Sequence, residues 1–186
     1  MWKAITFIAA VGALWLGATV AVLVLRASDV EAMAPMDAPN PSATGQYESL
    51  ITTWPIQTVH SIMLSNGKVI FWPAWDNGSD VHVWDPGAGT IATGPMPNFD
   101  PFCTGHVVMP DGRVFVTGGH LTGQTRTIGI NQASYYDPVA NSWTALPTMA
   151  NNRWYPTNTV LANGDVLVTS GLIDDITGTN NQPEVW

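Results

Sequence analysis

An all-β fold, an arc of four-stranded propeller blades behind one apolar N-terminal helix, is what this sequence predicts. Three observations predict it. Past residue 50 the chain repeats itself; each repeat turns at Asn-Gly or Asp-Gly between two apolar runs; and the first 26 residues form a separate stretch, apolar on every face.

Composition sets the outer limits. With 186 residues, 46% of them hydrophobic and 11% charged, the chain has the apolar surface for a core and is no disordered polyelectrolyte. Net charge is -8, and beyond residue 27 the only positive side chains are Lys68, Arg113, Arg126 and Arg153, which are scattered. No basic face is available to release counterions from a phosphate backbone, so nucleic acid is not an expected partner. The single cysteine, Cys103, cannot close an intramolecular disulfide and by itself reports nothing about the redox compartment.

The N-terminus speaks to the compartment. Ala4 to Leu25 is an uncharged run of 22 residues between Lys3 and Arg26. At about 1.5 Å per residue it reaches across a hydrocarbon core of roughly 30 Å. Residues 1–26 therefore read as a membrane anchor or a signal peptide. The run is longer than the roughly 7 to 15 apolar residues of a cleavable signal, while Ala32-Met33-Ala34 offers a small-residue cleavage site followed by Pro35. Either way the remainder is exported, and the protein is expected to be secreted or extracytoplasmic, with the membrane a partner of the helix. Residues 27–50, rich in Pro, Ala, Asp and Ser without hydrophobic periodicity, read as a flexible linker.

Residues 51–186 hold the repeats. Three segments align: His60 to Ile91, Gly105 to Met149, and Thr157 to Trp186. Each has an apolar strand, a turn, a second strand rich in β-branched residues, a loop, and a strand ending in an aromatic residue. The turn glycines Gly67, Gly112 and Gly164 stand 45 and 52 residues apart. Asn-Gly and Asp-Gly tolerate the positive φ of a tight hairpin turn. Four short strands per unit at this period is the spacing of kelch propeller blades. The first two repeats continue as VWDP and YYDP, whereas the third reads PEVW and stops at Trp186, so the third blade is expected to be incomplete and the chain inactive alone.

Gly118-Gly119 followed by Tyr136 and Trp143 resembles the kelch signature. FDPFCTGHVVMPDGRVFVTGG, followed by MANNRWYPTNTVLANGDVLV, resembles the radical copper oxidases of the galactose oxidase and glyoxal oxidase group, the glyoxal oxidase side more closely. The resemblance covers about Thr58 to Trp186 and leaves out the anchor and the linker. It implies a cysteine and a tyrosine on adjacent blades joined by a thioether bond, the modified tyrosine ligating copper and storing an oxidising equivalent as a radical. By motif these are Cys103 in PFCTGH and Tyr155 in NNRWYPT. Arg153 and Trp154, flanking the tyrosine, become candidates for the substrate pocket. The implied substrates are small aldehydes or primary alcohols and O2, and the implied product is H2O2.

Spacing agrees independently: Cys103 lies eight residues before Asp111 of its turn, and Tyr155 eight before Asn163 of the next. The two therefore hold equivalent places on neighbouring blades, near the axis where propeller sites are built. The chemistry suits them as well. Sulfur on a phenol ring lowers its oxidation potential, and a phenolate is a good equatorial donor to tetragonal Cu(II); metal and organic radical together supply two electrons.

Other readings compete. A lone cysteine commonly fills core space, and the chain would then be a non-catalytic kelch propeller binding glycan or protein, or a structural protein displayed at the cell envelope. Trp143, Tyr136, Trp84 and the glycine pair read as blade packing. His60, His82, His106 and His120 read as structural, His60 and His106 being expected at matching places in their repeats. The sequence also departs from the resemblance. The second tyrosine followed by histidine, and the further histidine, that complete the copper site there belong to later blades and are not in this chain. The tryptophan that stacks on the modified tyrosine in galactose oxidase is missing too, since Ser170-Gly171 is followed by Leu172 and Ile173.

Overall fold

The turns at Asn66-Gly67, Asp111-Gly112 and Asn163-Gly164 each join two antiparallel strands in the computed structural model, which describes residues 41–186 apart from 46, 48 and 75–79. The expected N-terminal helix, its membrane association and its cleavage lie outside these residues. No helix among the described residues is long and apolar enough to cross a membrane. The chain divides into two compact units, residues 1–50 and 51–186. The described part of the first includes a single helical turn, α1 (Pro41–Thr44).

The second unit is a series of antiparallel sheets. The first contains β1 (Thr58–Met63), β2 (Val69–Pro73), β3 (His82–Asp85) and β4 (Thr90–Thr93), in that order. The second repeats the pattern with β5 (Thr104–Val108), β6 (Val114–Gly118), β7 (Ala133–Asp137) and β8 (Ser142–Ala145). In the third, β9 (Thr157–Val160) pairs with β10 (Val166–Thr169). A small hairpin of β11 (Leu172–Asp174) and β12 (Gly178–Thr179) then intervenes before β13 (Glu184–Val185) returns to pair with β10. The PEVW strand is thus where the repeat puts it, while the hairpin inside the connecting loop is an addition that repeat alignment does not foresee. First strands pack side by side, β1 against β5 and β5 against β9, as in a propeller.

The three turns share one construction, and it differs from the two-residue turn that Asn-Gly suggests. Gly67 N–H donates to Leu64 C=O at 3.0 Å and Leu64 N–H to Lys68 C=O at 2.7 Å, with equivalent pairs at Met109, Gly112 and Arg113, and at Leu161, Gly164 and Asp165. Only the glycines of these turns have positive φ, at 81°, 86° and 94°. This is the three-residue loop, a type I turn closed by a left-handed glycine. Asn66, Asp111 and Asn163 act through their side chains instead, each Oδ1 accepting the N–H two residues on at 3.1–3.2 Å.

Sheets stack through β6, buried on both faces. Val114 and Val116 join Leu64, Ile70, Trp72 and Val81 of the first sheet. Phe115, on the opposite pleat face, joins Met109, Met149, Val166 and Val168 on the side of the third. Full burial of such a side chain contributes roughly 1.5–3 kcal/mol, which is why VFVTG reads as a continuous apolar run and not an alternating one. The packing roles expected of the aromatic residues hold. Tyr136 is buried and pairs in register with Trp143, ring centroids 5.3 Å apart, and Trp84 meets Trp54 edge to face at 5.7 Å. Gly118 lies against the next repeat, where a Cβ would run into the Arg153 carbonyl oxygen.

Candidate functional site

Cys103 and Tyr155 reach one place by the same local route. Each precedes the first strand of its sheet, and each adopts the left-handed region, with φ of 63° and 54°. For residues with side chains this costs about 1–3 kcal/mol and persists only where the surroundings fix it. The fixing bonds are identifiable. Tyr155 N–H donates to Cys103 C=O at 2.7 Å, and Cys103 N–H donates to His60 Nε2 at 3.0 Å. A chain of contacts thus runs through three repeats, from His60 before the first turn to Cys103 and on to Tyr155. The segment before Tyr155 is stitched on both sides: Gly119 N–H donates to Arg153 C=O at 2.9 Å, and Trp154 and Leu172 exchange backbone bonds at 2.8 and 2.9 Å.

The Cys103 thiol and the Tyr155 phenol stand close enough to shift one another's protonation. Cys103 is fully buried, whereas Tyr155 is 43% exposed and lines an open cleft of about 430 Å³ with His60, His106, Pro156 and Asn158. Burial pushes the Cys103 thiol up to about 12, against the opposing pull of the Tyr155 and Trp154 side chains. Burial, followed by the neighbouring Cys103, raises the Tyr155 phenol to about 12. Without a cation both are protonated near neutrality, and a metal at the phenol would have to displace a proton.

Aromatic rings flank the phenol on its buried side. Trp154 meets Tyr155 edge to face with centroids 4.7 Å apart, Phe102 lies at 6.4 Å and His60 at 5.8 Å. The Trp154 indole N–H is buried beside the thiol without a well-formed hydrogen bond. His60 stacks on Trp72 at 5.5 Å and touches His106 edge to face at 5.5 Å. Its pKa falls to about 4 through burial first and the neighbouring His106 second, and its Nε2, accepting an N–H, carries no proton.

Two expectations need correction. Arg153 does not line the cleft: it is wholly buried, with its guanidinium donating to Ser170 C=O at 2.7 Å, to Gln182 C=O, and to Glu184 Oε1 at 2.8 Å. A buried cation must be paired, and three acceptors surround this one, so it binds the third repeat together. His60 and His106 do not occupy matching places either. Ser61, opposite Phe71, is the counterpart of His106, opposite Val116, because both partners lie four residues beyond their turn glycine. A register shift between Thr58 and His60 accompanies the inward turn of His60.

Trp154 packs against the Tyr155 ring and is not among the residues lining the cleft, and His60, read as structural from sequence, touches both Cys103 and Tyr155. No periodicity marks His60; its role depends on a bulge and on the path of another repeat. His82, held by Asp80 at 2.8 Å and stacked on Phe71, stands among packing residues. Among the described residues no three His, Cys, Asp or Glu side chains gather as a metal site. For copper they offer Tyr155 oxygen as a donor, suited in type, while His60 Nε2 is already engaged by Cys103 N–H. The remainder of a tetragonal set would come from outside them.

Comparison with known proteins agrees with this geometry. Residues 101–150 match the kelch motif. Galactose oxidase of Gibberella zeae is 27% identical over 145 residues, spanning 72% of this chain and 20% of that protein. A WSC domain-containing protein of Arthroderma benhamiae is 35% identical over 79 residues, 39% of this chain and 8% of that one. A fungal alcohol oxidase of the AA5 family, solved in complex with copper, superposes with a TM-score of 0.52 at 23% identity, over 68% of this chain and 27% of its own, and supports the fold. By motif, sequence and fold, then, this chain is similar to galactose oxidase over its kelch-propeller arc, and it spans 20% of the length of that relative.

Proposed function

We propose that Cys103 and Tyr155 form a thioether-linked radical cofactor of a copper radical oxidase, with Tyr155 as a copper donor, acting on small aldehydes or primary alcohols with O2. The observation that carries this reading is the approach of a thiol and a phenol from neighbouring repeats, both on left-handed backbone and linked by the Tyr155 N–H to Cys103 C=O bond. The thioether would join the Cys103 sulfur to the ring carbon ortho to the Tyr155 phenol oxygen. Forming that bond breaks the Cys103 S–H and one ring C–H; two electrons and two protons pass to O2, giving H2O2. Bound copper would supply one-electron redox exchange beside the ring.

The chain's own residues do the rest. Cys103 tunes the ring and anchors it to the neighbouring repeat. Trp154, against the Tyr155 ring, takes the shielding place that Leu172 and Ile173 do not fill and narrows access from one side. The open cleft on the other side admits a small substrate. Arg153 and Glu184 hold the segment that carries both aromatic residues. The apolar run Ala4 to Leu25 supports export of this oxidase, as a secreted or membrane-anchored protein.

The test is mass spectrometry after Cu(II) and O2 treatment of the protein with its full reading frame. A Cys103 peptide joined to a Tyr155 peptide, two hydrogens lighter than their sum, is the expected product. A free, alkylatable Cys103 after copper loading would sink the proposal and leave the thiol as core filling in a binding propeller.

A further inference from the structure

We propose that His60 is the positioning residue of the Cys103–Tyr155 pair, an inference that rests on the cofactor reading above. Cys103 is held at a φ of 63°, where a side-chain-bearing residue stays only under external constraint. Its carbonyl is fixed by Tyr155 N–H at 2.7 Å. Its own N–H points to His60 Nε2 at 3.0 Å, an acceptor contributed by another repeat. Without that acceptor the N–H would be buried and unpaired, and the turn that aims the thiol at the phenol would lose one of its two backbone anchors.

The residue type fits this role. A buried acceptor at this point must be neutral, must reach across from β1, and must pack as an aromatic body against Trp72, Phe102 and Tyr155. An imidazole protonated at Nδ1 alone satisfies all three. His60 is 6% exposed, so water does not substitute readily for Nε2. Its engagement with Cys103 also separates it from the copper donors, although it stands in the same cleft as Tyr155. The sulfur-to-ring alignment of the second and third repeats is therefore set from the first.

The test compares His60→Phe, which keeps the aromatic body and removes the acceptor, with His60→Gln, which restores an acceptor. The full chain is used without metal. Amide exchange at Cys103 and the rate of its alkylation by iodoacetamide are measured beside exchange at Leu167 and Val168 in β10. For His60→Phe the Cys103 amide should lose protection by roughly tenfold and alkylation should accelerate, while β10 is unchanged. His60→Gln should recover most of the loss. Unchanged exchange and alkylation in His60→Phe would overturn the inference. Should His60→Phe unfold, His60→Gln decides alone: near-native protection at Cys103 supports it, and a folded Gln variant with an unprotected Cys103 amide overturns it. A parallel arm with Cu(II) and O2 reads thioether yield. Absence of the thioether in the unsubstituted protein counts against the cofactor reading alone, because the exchange arm still decides the part played by His60.

Discussion

Arg153 carries a positive charge with none of its surface in water, and among the described residues Glu184 is its carboxylate partner. Removing one partner of a buried pair leaves a charge without compensation, at about 3–5 kcal/mol. Glu184 keeps 27% of its side chain exposed, so Glu184→Gln should sit at the low end, destabilising by about 3 kcal/mol in urea unfolding. His60 gives a pH dependence of definite sign. Its folded pKa is about 4 against an ordinary 6.5, because burial and His106 disfavour the imidazolium. Between these values the unfolded chain binds the proton and the folded chain does not. Stability is therefore complete above 6.5 and falls as pH drops toward 4, by about 3 kcal/mol. His106, lowered by the same burial, adds to the loss. Urea midpoints for the metal-free chain across this window should show the decline, and His60→Phe should flatten it.

At the scale of elements, the three turns form a natural comparison. Gly67, Gly112 and Gly164 share φ near 81–94°, but a Cβ meets nothing within 4 Å at Gly67 and stands 2.8 Å from Ser65 Oγ at Gly112. Gly67→Ala should cost about 1–2 kcal/mol, the penalty of left-handed backbone alone. Gly112→Ala should cost more, since the second turn packs on the first, and the difference between the two unfolding midpoints measures that contact. The β6 strand has the same two-sided character. Truncating Val116 to Ala should loosen the core shared with the first sheet and leave the Phe115 cluster intact, at about 1–3 kcal/mol. Exchange protection should fall in β2 before β10.

For the whole molecule the consequence of the cofactor proposal is mechanical as well as chemical. A thioether between Cys103 and Tyr155 ties two repeats across about 50 residues of chain, and closing such a loop stabilises by about 4 kcal/mol on the chain-entropy model. Protein carrying the thioether should unfold at higher urea than Cys103→Ser, with the same copper chelated away from both. Equal midpoints would mean that the bridge strains the native geometry as much as it restricts the unfolded chain.

The sequence by itself determined the repeat, the three hairpins and the equivalent places of Cys103 and Tyr155 ahead of the second and third. Each rests on a local signal: a turn residue that needs positive φ, an apolar run, a spacing counted from the turn. It named the turns and missed their type, because Asn66 and Asp111 use their side chains and not their φ, a choice made by hydrogen bonds two residues away. Only the tertiary structure decided what surrounds the pair. Arg153 and Tyr155 are two residues apart in sequence, yet one is sealed in the third repeat and the other opens on the cleft, since Ser170, Gln182 and Glu184, on either side of the β11–β12 hairpin, take up the guanidinium while the phenol stays on the cleft. His60 reaches Cys103 from 43 residues away through a bulge. Long-range burial and acceptor matching have no period along the chain, so they become visible only when the repeats are packed together.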